Sequence, residues 1–324
     1  MTGTLRTPTL ADVEAARDRI GPYLRPTPLY AYPALAELVG TEVFVKHENH
    51  QPIGAFKVRG GVNLVAQLSA DERARGLISA STGNHGQSIA YAARLFGVQA
   101  TICVPEHANP VKVSAIRSLG AEIVTHGRDF DEAREHCAAL AAERGYRYVH
   151  SGDEPDLIAG VGTIALEIVE QQPEIDVIVV PVGGGSGAAG ACIVAAAAAR
   201  DIEVVGVQSE AAPAAYRSWQ AQELLEDQMG TFAEGLATRV GFELPQRILW
   251  DHLRTFVLVG EDEIRGAMLQ LIEGTRNLVE AAGAAPLAAA LQLRERLAGN
   301  RVALVCSGGN VSLEQLRELL ARPT

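Results

Sequence analysis

The chain has 324 residues, 48% of them hydrophobic, and its 39 acidic side chains against 28 basic ones give a formal charge of −11. A chain of this size buries a substantial core and has room for about two domains. The acidic balance, with no basic run interleaved with aromatics, excludes a nucleic-acid surface.

The opening segment, Met1 to Ala11, is polar and lacks the apolar core of an export signal. Cys103, Cys137, Cys192 and Cys306 are scattered, with neither a C-x-x-C pair nor zinc spacing. They read as small buried hydrophobes in a reducing, cytoplasmic setting. The first strand expected is Val43-Phe44-Val45. After it comes Pro52-Ile53-Gly54-Ala55-Phe56-Lys57-Val58-Arg59-Gly60-Gly61, which sets one lysine between an aromatic ring and glycines at a helix start. Val62, Leu64, Val65 and Leu68 follow at near-helical spacing. Burial favours the neutral form of an amine, so Lys57 could form a Schiff base with a carbonyl, whether of a substrate or of pyridoxal phosphate. The plainer reading is a snorkelling lysine whose stem lies on the core.

Short apolar runs then alternate with helical patterns. Leu77 to Ala80 is a strand, followed by Ser81-Thr82-Gly83-Asn84-His85-Gly86-Gln87 and a helix over Gln87 to Phe96, with Ile89, Ala92, Ala93 and Phe96 on one face. A loop of this kind at a helix N-terminus can hold a carboxylate or simply cap the helix. Thr101 to Val104, Glu122 to Val124, Val177 to Val180, Val204 to Val207 and Ala303 to Cys306 are further strands. Asn109 to Leu119 is a helix ending before Gly120, and Leu313 to Leu320 is another. Val177 to Ala199 is uncharged and long enough to span a bilayer, but Pro181 and a glycine run divide it into a strand and an alanine-rich helix. This rhythm predicts an α/β protein with parallel-rich sheets covered by helices on both faces.

Ligands bind such sheets where strands end and helices begin. Gly183-Gly184-Gly185-Ser186-Gly187 suits a phosphate, because its amides can approach closely and the helix dipole favours negative charge. Gly185, Gly187 and Gly190 also fit G-x-G-x-x-G, with Glu210 about twenty residues on, which would suggest a nicotinamide dinucleotide. That alternative leaves Lys57 and the Asn84 loop unexplained. Ser307 in Cys306-Ser307-Gly308-Gly309-Asn310 could hydrogen-bond a neutral heteroaromatic nitrogen, or the segment could be a turn capped by Asn310.

Together these segments resemble the fold-type II pyridoxal-phosphate enzymes, specifically the threonine/serine dehydratase and serine racemase group. Pro28-Leu29, Lys46-His47-Glu48-Asn49, Gly54 to Gly60, Ser81 to Gln87, Gly183 to Gly187, Ala233-Glu234-Gly235-Leu236-Ala237 and Ser307 to Asn310 occur in the family's order. The resemblance implies a two-domain, tryptophan synthase β-like fold, with residues 1–49 and 149–324 gripping the phosphate and residues 50–148 closing on substrate. It implies Lys57 as the Schiff-base lysine and base at Cα, with Phe56 beside the ring. Asn84 would meet the phenolic oxygen, and Ser307 the pyridine nitrogen. Gly183, Gly184, Gly185, Ser186 and Gly187 would hold the phosphate, and Gly235 would approach the ring. Ser81, Thr82, Gly83 and His85 would hold the substrate carboxylate, with Glu234 orienting substrate or supporting its loop.

The expected activity is a dehydratase, or ammonia-lyase, that converts an L-β-hydroxy amino acid to a 2-oxo acid and ammonia. An amino-acid racemase is the alternative, as is a dehydratase for 3-hydroxyaspartate or β-phenylserine; a non-catalytic amino-acid sensor is the reading outside enzymology. Thr82 stands where the racemases carry a serine base, which disfavours racemisation. Gln208 and Pro213 stand where the racemases' divalent-metal segment is acidic, so no metal site is expected. With Thr324 as the last residue, the regulatory domain of biosynthetic threonine dehydratases is not expected. A homodimer is implied by the resemblance alone.

Overall fold

The computed structural model describes residues 5–321. Its strands are β1 (Leu29–Ala31), β2 (Glu42–His47), β3 (Leu77–Ala80), β4 (Ala100–Val104), β5 (Glu122–Thr125), β6 (Arg147–Tyr148), β7 (Val177–Pro181), β8 (Glu203–Ser209), β9 (Thr255–Val259) and β10 (Arg301–Cys306). The larger sheet runs β1-β2-β10-β7-β8-β9 and the smaller runs β5-β4-β3-β6. Every pairing is parallel except that of β1 with β2.

Strand periodicity explains why these sheets are covered on both faces. Along β7, Val177 and Val179 enter one core while Ile178 and Val180 enter the other; along β10, Val302 and Leu304 alternate with Ala303 and Val305 in the same way. Residues buried on both faces give continuous apolar runs instead of alternation, which is why these segments stand out in the sequence. The smaller sheet follows the same rule, with Leu77 on one side and Ile78 and Ala80 on the other. Three strands lie outside the expected set. β1 is a three-residue edge whose side chains stay largely exposed, β6 has only two residues, and β9 adds an edge with a half-buried pattern. None of the first two buries enough apolar surface to leave a signal.

The uncharged stretch divides as expected, into β7 and the helix Ser186–Ala197. Among the described residues no helix is long and apolar enough to cross a membrane. All four cysteines are buried and unpaired. The helix Lys57–Ala66 packs between the helices Asn84–Leu95 and Pro155–Gln171, so it joins the two sheet systems.

The Ser186 helix is placed by a close crossing with the helix Pro155–Gln171. A Cβ on Gly190 would lie 2.7 Å from the Cα of Gly162, which is backbone and cannot rotate away. Gly190→Val should therefore push the helices apart and lower stability by about 1–3 kcal/mol, read as a lower midpoint in urea; an unchanged midpoint would mean that the crossing tolerates side chains.

Candidate active site

The loops that follow β2, β7 and β10 meet because these strands are neighbours running the same way. The segment before Lys57 is stitched to the segment after β10. Phe56 N donates to Ser307 O at 2.9 Å, Gly309 N donates to Gly54 O at 2.9 Å, and Ala55 pairs with Gly308 as an antiparallel bridge. Lys57 is then the first residue of its helix, as expected.

The Lys57 ammonium lies 2.9 Å from Ser186 Oγ and 3.4 Å from the carbonyl oxygen of Ser151. It sits 5.2 Å from the centre of the Phe56 ring. Burial holds its pKa down to about 8, because removing water penalises the charged form. The chain has three lysines, Lys46, Lys57 and Lys112. Lys46 is paired with Glu167 and Lys112 with Glu234, whereas the polar partners of Lys57 are a hydroxyl and a carbonyl. Of the three, Lys57 is the lysine without a carboxylate partner among the described residues.

The glycine loop lies against the same amine. A Cβ on Gly183 would stand 2.2 Å from the carbonyl oxygen of Gly235, so that contact demands glycine and brings the Glu234–Leu236 turn onto the loop. Phe56, Gly187 and Ser307 line one cavity with Val180, Pro181 and Val305. Phe56, Lys57, Gly183, Ser186, Gly187, Gly235 and Ser307 are thus brought together. Gly190 serves the helix crossing.

Asn84 is held from two sides. Its Nδ2 donates to Glu280 Oε1 at 2.9 Å, and its Oδ1 accepts from Asn310 Nδ2 at 2.8 Å, while Asn310 also donates to Ile53 O at 2.9 Å. The amide cannot turn over without breaking both bonds, and its second N–H stays available to a ligand. Asn310 is accordingly a bridge to Asn84, more than the turn cap that the sequence suggested. Burial pushes the Glu280 carboxyl pKa upward, against the hydrogen bond from Asn84.

In the Ser81 loop, Ser81 Oγ accepts from Gly83 N at 3.2 Å. His85 is buried, with Nε2 2.9 Å from Ser79 Oγ, and that hydroxyl donates to Val149 O at 2.8 Å. The proton must therefore be on Nε2, leaving Nδ1 as a buried acceptor without a partner. Desolvation drives the imidazole pKa to about 3, so the ring is neutral. A neutral ring committed to Ser79 supports the loop and offers no charge to a carboxylate. Glu234 is half exposed and pairs with Lys112, with Gln315 Nε2 3.5 Å from its other oxygen. Lys112 belongs to the helix Pro110–Ser118 beside the smaller sheet, so this pair bridges the two sheet systems along a pocket that also holds Gly235, Glu280 and Asn310.

Sequence reasoning missed Glu280 and Lys112. Glu280 precedes the alanine-rich helix Ala281–Gln292 and reads as an ordinary acid at a helix N-terminus. Nothing in its spacing points to Asn84, nearly two hundred residues earlier. The side-chain oxygen of Gln208 accepts from Tyr216 N at 3.0 Å, and among the described residues no group of three or more His, Cys, Asp or Glu could hold a metal ion.

The residues present fit pyridoxal phosphate: a desolvated amine for the aldehyde, a glycine-lined helix N-terminus for the phosphate, a serine hydroxyl and an oriented amide for the ring. Comparison with known proteins points the same way. The family described as pyridoxal-phosphate dependent enzyme matches residues 20–308. The L-threonine ammonia-lyase of Thermotoga maritima is 37% identical over 315 residues, covering 96% of this chain and 78% of that protein. A catabolic L-threonine dehydratase of Staphylococcus aureus is 36% identical over 313 residues, covering 95% and 90% respectively. Among solved structures, serine racemase from Dictyostelium discoideum superimposes with a TM-score of 0.90 at 34% identity, over 95% of this chain and 100% of that one.

Only a neutral amine attacks an aldehyde. When pyridoxal phosphate is mixed with cofactor-free protein, the initial rate of yellow colour formation should rise with pH to a midpoint near 8. A midpoint at the unperturbed 10.5 would mean that Lys57 is hydrated.

Proposed function

The chain belongs to the pyridoxal-phosphate dependent enzymes, and from that premise we propose that it is an ammonia-lyase that converts an L-β-hydroxy amino acid of the threonine/serine type to a 2-oxo acid and ammonia. The observation that carries this reading is the desolvated Lys57 amine against Ser186, at the mouth of the glycine loop. Identities of 36–37% to threonine ammonia-lyases and dehydratases over nearly the whole chain support the substrate class.

Bound pyridoxal phosphate supplies an aldehyde for the amino group and a conjugated ring that stabilises negative charge at Cα. The chain's own residues do the rest. Lys57 holds the cofactor until substrate replaces it, and its freed amine, whose pKa of about 8 leaves roughly a tenth of it neutral at pH 7, takes the Cα proton. Gly183, Gly184, Gly185, Ser186 and Gly187 hold the phosphate at the N-terminus of the Ser186 helix, where the dipole and the backbone N–H groups favour an anion. Asn84 offers its free N–H to the phenolic oxygen. Ser307 meets the pyridine nitrogen with a hydroxyl; lacking a negative charge, it does not hold that nitrogen protonated, which favours prompt loss of the β-substituent over build-up of charge on the ring. Phe56 and Gly235 bound the ring.

Ser81, Thr82, Gly83 and the backbone of His85 hold the substrate carboxylate. Glu234 supports its turn through Lys112. Residues 50–148, built on the smaller sheet, close on residues 1–49 and 149–324 when substrate binds, and that closure excludes water. The four buried, unpaired cysteines support a reducing, cytoplasmic setting.

The likeness to serine racemase supports racemisation as a second reading. Thr82 weighs against it, because its added methyl burdens the hydroxyl that would serve the opposite face of Cα. Incubation with L- and D-β-hydroxy amino acids separates the two: stoichiometric 2-oxo acid and ammonia establish the lyase, and an accumulating opposite enantiomer without oxo acid establishes the racemase. Lys57→Ala should abolish the yellow colour and lower turnover by at least about 10³-fold, since it removes both the covalent link and the base. Near-normal turnover would overturn the assignment.

A further inference from the structure

Two residues beyond Lys57, Arg59 turns into a buried cluster of charges that no step of the proposed reaction uses. Its Nε and Nη2 donate to the two oxygens of Glu48 at 2.7 and 2.8 Å, and its Nη1 and Nη2 to the two oxygens of Glu167 at 2.5 and 2.8 Å. Lys46 Nζ completes the set, 2.6 Å from Glu167 Oε2 and 2.7 Å from Thr27 O. The hydroxyls of Thr27 and Thr163 close the remaining valences, the first donating to Glu48 at 2.6 Å and the second accepting from Arg59 at 3.1 Å. Two cations thus face two carboxylates, all at 5% exposure or less.

The cluster has a one-sided geography. Lys46 lies on β2, Glu48 in the turn after it, and Glu167 on the helix Pro155–Gln171, all packed with the larger sheet. Arg59 comes from the first turn of the Lys57 helix, whose later residues Val62, Leu64 and Val65 enter the core of the smaller sheet with Leu77, Ile89 and Ile102. Resting on the reading above, we infer that Arg59 is a positioning residue: it clamps the first turn of the Lys57 helix to the phosphate-holding half, so that Lys57 keeps its place against Ser186 while the smaller unit moves.

Two physical arguments favour this over a purely stabilising role. Buried ion clusters seldom stabilise a fold more than apolar residues of the same shape, because desolvation offsets their attraction. What they do impose is direction: a guanidinium that grips two carboxylates with a planar fork fixes the backbone that carries it. The cluster is also charge-balanced, so it anchors the helix without adding a net charge beside the Lys57 amine, whose depressed pKa arises from burial.

The test compares Arg59→Met with the charge-balanced double variant Arg59→Met/Glu48→Leu, which leaves Lys46 paired with Glu167. The single variant strands a carboxylate and should lower Tm. The double variant should restore Tm to near the wild-type value, yet form the coloured link with added pyridoxal phosphate at least about tenfold more slowly, with kcat down similarly and KM within about threefold, because a misplaced amine costs rate more than binding. Recovery of the link-forming rate together with Tm would overturn the proposal. If the double variant does not fold, Thr163→Val, which removes one contact to Arg59 and the hydrogen bond from Thr163 Oγ1 to Gly160 O at 2.7 Å, should lower Tm slightly and slow link formation about threefold, and an unchanged rate would overturn the proposal. Link formation needs no substrate, so these outcomes stand apart from whether the ammonia-lyase assignment holds.

Discussion

β10 runs parallel to β2 on one side and to β7 on the other, and the rest of the site depends on that arrangement. Parallel neighbours release their following loops at the same edge of a sheet. The edge therefore collects the turn that leads to Lys57, the glycine loop that opens the Ser186 helix, and Ser307. The antiparallel stitch between residues 54–56 and 307–309 then fixes the first of these against the last. Lys57, the glycine loop and Ser307 thus share one edge, while Asn84 and the Ser81 loop come from the smaller sheet.

Desolvation does the chemical work at this edge. Lys57 and His85 both lose water and both are driven toward their neutral forms, to about 8 and about 3 respectively. The outcomes differ because the surroundings differ. Lys57 is half-buried, and its polar partners are a hydroxyl and a carbonyl, neither of which holds it charged. His85 spends its one proton on Ser79 and becomes part of the wall. The other two lysines are also desolvated, but each is paired with a carboxylate.

How much of this was legible follows from the range of the interaction. The central strands announce themselves because double-sided burial makes them continuously apolar, as in Val177 to Val180 and Ala303 to Cys306. The glycine loop is legible because consecutive glycines between an apolar strand and an alanine-rich helix mark a tight turn into a helix start. Lys57 gains its meaning from the order of motifs along the chain, since one lysine in an apolar context is ambiguous. Glu280, Lys112 and Glu167, which grips Arg59, were not legible. Each acts through a contact with a residue far away in sequence, and an isolated Glu or Lys carries the same local signature whether it is solvated or buried. Gln208 shows the same limit from the other side, since its substitution for an acid is visible while its bond to Tyr216 is not.

The central claim is that Lys57, alone among the three lysines, carries the cofactor. Borohydride reduction of the yellow protein, followed by proteolysis and mass mapping of the labelled peptide, tests it directly. One phosphopyridoxyl group should appear on Lys57, with Lys46 and Lys112 unmodified. A label on either of those, with Lys57 free, would contradict the claim.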